Sequence, residues 1–343
     1  MKSKSIICWS LGLLIVVLLL FNLFFGSVSI PASAVMDILF SKEVERSAWT
    51  HIILQSRLPQ AITALLAGAG LAVSGLMLQT LFQNPLAGPS ILGISGGANL
   101  GVALVMLSVG GIAAGGATFS LGVNISVVLA AFVGAIAVLG LIIYFSSKVK
   151  SNVLILIIGM MIGYLASSAI AILNSLAEAD SVRSFVIWGL GTFSNVSSGQ
   201  IVFFSITTLI GIFFSILLIK PLNILLLGEN YAANLGLNLM RIRILILLCT
   251  GFLTAIVTAF CGPVSFIGLA VPHIARLMLK TSNQRLLVPA TLLAGAVVAL
   301  LCNLMTVIPI NNTLLPLNAV TPLIGAPVII YVILSKRNTN YFN

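Results

Sequence analysis

Long apolar runs separated by short polar segments dominate this chain. The first runs from Ile6 to Gly26. Nine more lie near residues 58–82, 91–110, 123–145, 153–173, 201–219, 244–261, 263–279, 286–308 and 317–334. A helix needs about 20 apolar residues to cross a bilayer core. The pattern predicts an all-α polytopic membrane protein with about ten transmembrane helices. The runs at 263–279 and 317–334 are short and contain prolines, which makes them the least regular of the set. Lys2 and Lys4 before the first run, with Ala32-Ser33-Ala34 after it, have the outline of a secretory signal. A signal's apolar stretch is usually about 7–15 residues, however, and this run is about 20. It is read as a retained first helix, and an even helix count then leaves both termini in the cytoplasm.

Composition narrows the class further. The 343 residues are 60% hydrophobic and 6% charged, with a mean hydropathy of +1.23. Soluble domains carry about 25% charged residues, so a soluble enzyme, a disordered tail and a DNA-binding domain are excluded. The net charge of +10 reads as the basic bias of inward-facing loops rather than as a nucleic-acid footprint.

The charges also test the helix order. With ten helices and the N-terminus inside, the inside segments hold Lys2, Lys4, Lys148, Lys150, Lys220, Arg241, Arg243, Arg276, Lys280, Arg285, Lys336 and Arg337, against one acid, Glu229. The outside segments hold Lys42, Arg46, Arg57 and Arg183 with Asp37, Glu43, Glu45, Glu178 and Asp180. The asymmetry is the one that the positive-inside rule requires. Residues 27–57 are expected to form the longest outside segment. No separate soluble domain is visible, so residues 1–343 read as one transmembrane domain.

Several chemistries are missing. No GxxxxGK[ST] occurs, so the chain lacks a phosphate-clamping P-loop, and any ATP-driven step needs a separate ATPase. No HExxH occurs, and His51 and His273 stand alone, so no metal site is expected. Cys8, Cys249, Cys261 and Cys302 lie in apolar stretches without CxxC spacing and read as core residues. All six acids fall in loops, which argues against an ion-coupled carrier with a carboxylate at mid-membrane. Backbone carbonyls can still bind sodium, so a secondary transporter stays as the alternative class. Gly93, Gly97 and Gly101 recur every four residues, as do Gly111 and Gly115, and Gly68, Ala72 and Gly75 share a helix face. That spacing lets backbones approach closely in lipid.

The inside loop between Lys220 and Arg243 is rich in leucine. It reads as two short helical pieces, Leu222 to Glu229 and Tyr231 to Leu237, punctuated by glycine. Such a loop needs either a protein partner or the lipid interface to cover it.

Read in order, the motifs resemble a known family. Ser56-Arg57-Leu58-Pro59-Gln60 leads into Ala67-Gly68-Ala69-Gly70, Gly75 and Gln79. Then come Gln83-Asn84-Pro85-Leu86-Ala87-Gly88-Pro89 and Gly93-Ile94-Ser95-Gly96-Gly97. Far downstream stands Gly262-Pro263-Val264-Ser265-Phe266-Ile267-Gly268-Leu269-Ala270-Val271-Pro272-His273-Ile274-Ala275-Arg276. The ordered set resembles the FecCD family, permease subunits of ABC importers for ferric siderophores, haem and vitamin B12.

The resemblance implies a ten-helix subunit in a bacterial cytoplasmic membrane, paired with a second copy of itself. Two cytoplasmic ATPase subunits, which bind the ATP and Mg, and an extracytoplasmic substrate-binding protein complete the assembly. It implies import by alternating access, with an iron–siderophore complex as the leading substrate and haem or vitamin B12 as alternatives. Within the segment 221–238, Leu226, Gly228, Glu229, Ala232, Leu235 and Gly236 match the helices that couple to the ATPase. Glu229 would then pair with a basic residue of that subunit, or serve as a simple helix cap. Asn84, Pro85 and Leu86 match a loop that narrows the cytoplasmic end of the pathway, and Ser151 and Asn152 match a second narrowing. Asn and Ser equally suit turns and caps. Arg57 matches an arginine that meets the binding protein, or anchors a helix end. Gln60 stands where the family often has a second arginine. His273 and Arg276 are expected to serve packing and anchoring.

Overall fold

A computed structural model describes residues 2–40, 47–108, 121–149, 151–307 and 315–335. Regular structure among the described residues is helical throughout. Gly111, Gly115, Lys42, Glu43, Glu45, Arg46, Lys150, Lys336 and Arg337 lie outside the described residues.

The helices are α1 (Lys2–Phe24), α2 (Ala32–Leu39), α3 (Ser47–Ile52), α4 (Leu58–Leu81), α5 (Ile94–Ser108), α6 (Leu121–Lys148), α7 (Asn152–Leu176) and α8 (Ala179–Gly189). They continue as α9 (Ile201–Leu217), α10 (Ile219–Leu225), α11 (Glu229–Asn234), α12 (Leu239–Cys261), α13 (Ile267–Leu279), α14 (Gln284–Val307) and α15 (Leu317–Ser335). Every apolar run of the sequence coincides with one of these helices. Among the described residues six stretches are long and apolar enough to cross a membrane, and the pair α9 and α10, bent by 49°, makes a seventh. Three shorter apolar helices, within α5, α13 and α15, accompany them.

Two features depart from the sequence expectation. The segment 27–57 is not one loop: it contains α2 and α3, and a π-helical turn, Ile53–Arg57, runs straight into α4. Residues Ser47–Leu81 therefore form one helical stretch of 35 residues. The amphipathic α8 carries no long apolar run and so escaped the hydropathy pattern.

The centre of the bundle is α4, whose apolar stretch is 89% buried, whereas those of α1 and α7 are only 22% buried. Around α4 stand α14, α12, α13, α9 and α1. Glycine explains how these backbones come so close. A Cβ on Gly75 would lie 1.6 Å from the carbonyl oxygen of Gly268 in α13, and one on Gly68 would lie 2.3 Å from that of Gly295 in α14. Gly97 and Gly101 meet Gly134 and Ala130 of α6 in the same way. Lipid tails are as apolar as leucine, so association here rests on close contact rather than on the hydrophobic effect.

Hydrogen bonds between helix ends sort the bundle into two faces. One gathers the ends of α4, α6 and α13, the starts of α7, α12 and α14, and both α10 and α11. Among the described residues this end carries Lys148, Lys220, Arg241, Arg243, Arg276, Lys280 and Arg285 with the single acid Glu229. The opposite end carries Arg57, Arg183, Asp37, Glu178 and Asp180.

Candidate coupling and gate site

The basic end is built around α10 and α11. Gly228, at φ 95°, starts α11, and Gly236, at φ 84°, follows it. Both angles lie in the region that only glycine enters freely, so two sharp turns present α11 as a short crosspiece. The observed pieces, Ile219–Leu225 and Glu229–Asn234, are shifted a few residues earlier than the sequence suggested. Ala232 is fully buried and Leu226 half-buried, which seats the crosspiece on the bundle. Leu227, Tyr231 and Leu235 are exposed. Among the candidate coupling residues, Leu235 thus presents an apolar surface outward while Ala232 holds the helix from behind.

Glu229 points inward. Its Oε1 accepts from Arg243 Nη2 of α12 at 3.1 Å and from Asn152 Nδ2 of α7 at 2.8 Å. Glu229 thus has an ion-pair partner within its own chain. Arg243 is 7% exposed and Glu229 36% exposed. A pair this open contributes about 0–1 kcal/mol, so its consequence is position more than stability. Arg243 Nη1 also donates to the Val149 carbonyl at the end of α6, at 3.2 Å.

Asn152 Nδ2 has a second acceptor, the Leu81 carbonyl in the last turn of α4, at 3.0 Å. Its neighbour Ser151 is the N-cap of α7 and accepts from Leu154 N at 3.5 Å. Two residues beyond Leu81 the chain turns at Gln83, which adopts φ 46° and donates from Nε2 to the Leu225 carbonyl of α10 at 3.2 Å. Asn84 then closes a local turn, its Oδ1 accepting from Leu86 N at 2.9 Å. Leu86 stands exposed. The structure therefore brings the two candidate gate segments and the candidate coupling segment into one hydrogen-bonded group.

His273 and Arg276 of α13 complete the support. His273 Nε2 lies 2.8 Å from the Pro85 carbonyl. A carbonyl only accepts, so this nitrogen carries the proton. Arg276 Nη1 donates to Gln79 Oε1 at 2.5 Å, and Gln79 Nε2 donates to the Leu269 carbonyl at 3.1 Å. The two halves of the sequence signature thus meet: α13 holds α4 and the loop that follows it. Gln284 links α14 to the same region, through Asn223 Oδ1 at 2.9 Å and Thr80 Oγ1 at 3.1 Å.

At the opposite end, Arg57 is 5% exposed. Its guanidinium donates to the carbonyls of Leu23 at 2.7 Å, Phe24 at 2.9 Å and Val28. These acceptors close the end of α1, where the helix dipole favours a cation. The geometry is that of a buried helix cap. Gln60 Nε2 donates to Asn303 Oδ1 at 3.0 Å, and Asn303 Nδ2 to Asn22 Oδ1 at 2.8 Å, tying α4, α14 and α1. Asn318 Nδ2 reaches the carbonyls of Gly189 at 3.1 Å and Pro263 at 2.6 Å, joining α15, α8 and the α12–α13 turn. A cavity of about 420 Å³ lies at this end, lined by Trp188, Phe260, Thr192, Ser194, Asn195 and Gln200 among others. Among the described residues no cluster of three or more His, Cys, Asp or Glu is placed to hold a metal ion.

The architecture is that of a multi-span helical membrane protein with a structured basic face. Residues 14–335 match the FecCD transport family, and the chain belongs to that family. It is 35% identical over 285 residues to the vitamin B12 import system permease protein BtuC of Klebsiella pneumoniae, covering 83% of each chain. It is 33% identical over 293 residues to a protein of Methanocaldococcus jannaschii assigned as an ABC transporter permease, covering 82% of each. A solved structure of a transporter assigned to the metal-chelate type of ABC transporters, in an inward-facing conformation, superposes with a TM-score of 0.82 at 28% identity. That match covers 97% of this chain and 99% of the other. The chain is thus an ABC importer permease of the FecCD type and a multi-pass membrane protein.

Proposed function

We propose that this chain is the pathway-forming subunit of an ATP-driven importer for a large metal chelate, working by alternating access. One observation carries the mechanism: the crosspiece α11 is hydrogen-bonded through Glu229 to the start of α7, and through Asn152 to the end of α4. A partner ATPase that seats Leu227, Tyr231 and Leu235 in a groove would therefore pull on Asn84–Leu86 and Ser151–Asn152 together. The basic end faces the cytoplasm by the positive-inside rule. The six long stretches, the bent pair and the three shorter apolar helices then amount to ten crossings, with both termini inside, in a bacterial cytoplasmic membrane.

Cavity size supports a second copy of the chain. The volume of about 420 Å³ sits near the low end of the roughly 300–1,000 Å³ that drug-sized ligands occupy. A ferric siderophore or a corrinoid is larger. A path between two copies, along the exposed face of α7 with Leu154, Ile157, Met161 and Tyr164, provides the room. Its neutral surface suits passage without tight binding. The ordered α1–α2 corner, held by Arg57, supports docking of a substrate-binding protein at the outer end.

A ferric siderophore is the leading cargo. The likeness to vitamin B12 permeases supports a corrinoid as the alternative, with haem third. Uptake into proteoliposomes carrying the complex separates them, using a ferric hydroxamate, cyanocobalamin and haemin in turn. The proposal expects accumulation of one of the three that requires hydrolysable ATP and ignores ionophores. Accumulation driven by an ion gradient without ATP would instead establish a secondary transporter.

A further inference from the structure

We propose that the carboxamide of Asn152 is the relay between coupling segment and gate, its single NH2 group tying Glu229 of α11 to the end of α4. The inference rests on the permease reading and adds the residue through which the movement passes.

The orientation of the amide follows from its neighbours. Nδ2 faces Glu229 Oε1 at 2.8 Å and the Leu81 carbonyl at 3.0 Å. Both are acceptors, so an NH2 group fits there and an amide oxygen would be repelled. One bond is charge-assisted and the stronger of the two. The helix itself does not need this amide, because Ser151 already supplies the N-cap. Arg243 holds Glu229 from the other side and anchors it to the end of α6 through Val149. A displacement of α11 therefore reaches α4, α6 and α7 through atoms already in contact. Leu81 lies two residues before the turn at Gln83, so motion at its carbonyl is delivered to Asn84, Pro85 and Leu86. Asn152 is a positioning residue: it acts on the gate through α4.

The test uses the complex isolated with its co-purifying ATPase and reconstituted in liposomes. The reporter is Leu86→Cys, labelled with a membrane-impermeant maleimide before and after trapping with ATP and vanadate, with the unsubstituted chain as the control for native cysteines. In the reporter chain, trapping changes the labelling rate about tenfold, the factor expected from one charge-assisted hydrogen bond. With Asn152→Asp added, ATP hydrolysis continues but the labelling rate no longer responds to trapping. With Asn152→Asp and Glu229→Gln together, the new amide at position 229 donates to the new carboxylate at position 152 and restores the α11–α7 bond, but the Leu81 carbonyl still faces an acceptor, so the response stays lost. A full response in Asn152→Asp, or in Asn152→Ala, overturns the relay. A full response in the double variant also overturns it, since the α11–α7 bond would then suffice without the link to α4. A reporter complex that neither hydrolyses ATP nor responds to trapping refutes the permease reading itself, a separate outcome.

Discussion

His273 and Pro85 stand 188 positions apart and are joined by one hydrogen bond of 2.8 Å. The histidine is 1% exposed, whereas Pro85 is half-buried. A hydrogen bond of this kind contributes about 0.5–1.5 kcal/mol. His273→Ala is therefore expected to loosen the Asn84–Leu86 turn and to raise maleimide labelling of Leu86→Cys by up to roughly tenfold, with or without nucleotide. His273→Gln, which keeps an N–H donor, should restore part of the protection. Equal labelling in all three chains would detach His273 from the loop.

Glycine contacts predict a stability series. A Cβ on Gly75 would fall inside the van der Waals radius of the Gly268 carbonyl, while Gly140 has nothing within 4 Å. Overpacking costs about 1–3 kcal/mol or more where backbone must move. Gly75→Ala should sharply reduce the monodisperse fraction in detergent size-exclusion, and Gly140→Ala should not. Similar profiles would show that α4 and α13 adjust more freely than their spacing indicates.

Arg57 predicts a thermal effect. Three backbone carbonyls share its guanidinium, and hydrogen bonds to a charged group contribute about 1.5–3 kcal/mol. Arg57→Ala should lower the melting temperature by several degrees and expose the 25–40 segment to protease. Because the group is buried, Arg57→Gln should show the same loss at low and high salt, whereas an exposed docking charge is screened. A binding-protein affinity that falls only at low salt, with unchanged melting, would return Arg57 to the interface.

The two turns flanking α11 make a further prediction. Gly228 and Gly236 hold φ values of 95° and 84° with open space around them, so a methyl group clashes with nothing but strains the backbone by about 1–3 kcal/mol. Gly228→Ala and Gly236→Ala should tilt the crosspiece and reduce the ATPase recovered with the tagged chain, while total membrane-inserted protein stays constant. Full recovery of ATPase with both would remove the turns from the docking geometry.

Much of the fold was legible because lipid imposes a simple rule: apolar length marks a span, and the basic bias marks an end. That rule located α4 and α14 to within two residues, and α7 and α12 to within five. It could not find α2, α3 or α8, which are short and have no bilayer-length signature. The candidate site was legible as a set of residues but not as a group. Glu229 and Asn152 lie 77 positions apart, and no spacing argument brings an amide and a carboxylate together over that distance. Charge counting placed Glu229 on the basic face but said nothing of its direction, so its partner Arg243, six residues beyond the expected second helical piece, passed unnoticed. Arg57 shows the same limit. Its position at a helix entry was plain, but the acceptors that bury it belong to α1 and the chain just beyond, which only the tertiary structure supplies. The roles of His273 and Gln79 were hidden too, since each acts on a backbone carbonyl that carries no sequence signature.

The most direct test of the permease account is the intact mass of the tagged protein, purified in mild detergent from its native membrane. The account predicts a complex holding two copies of the 36.0 kDa chain and two copies of a P-loop ATPase. Reproducible isolation of the chain without any ATPase, from cells that make both, would contradict it.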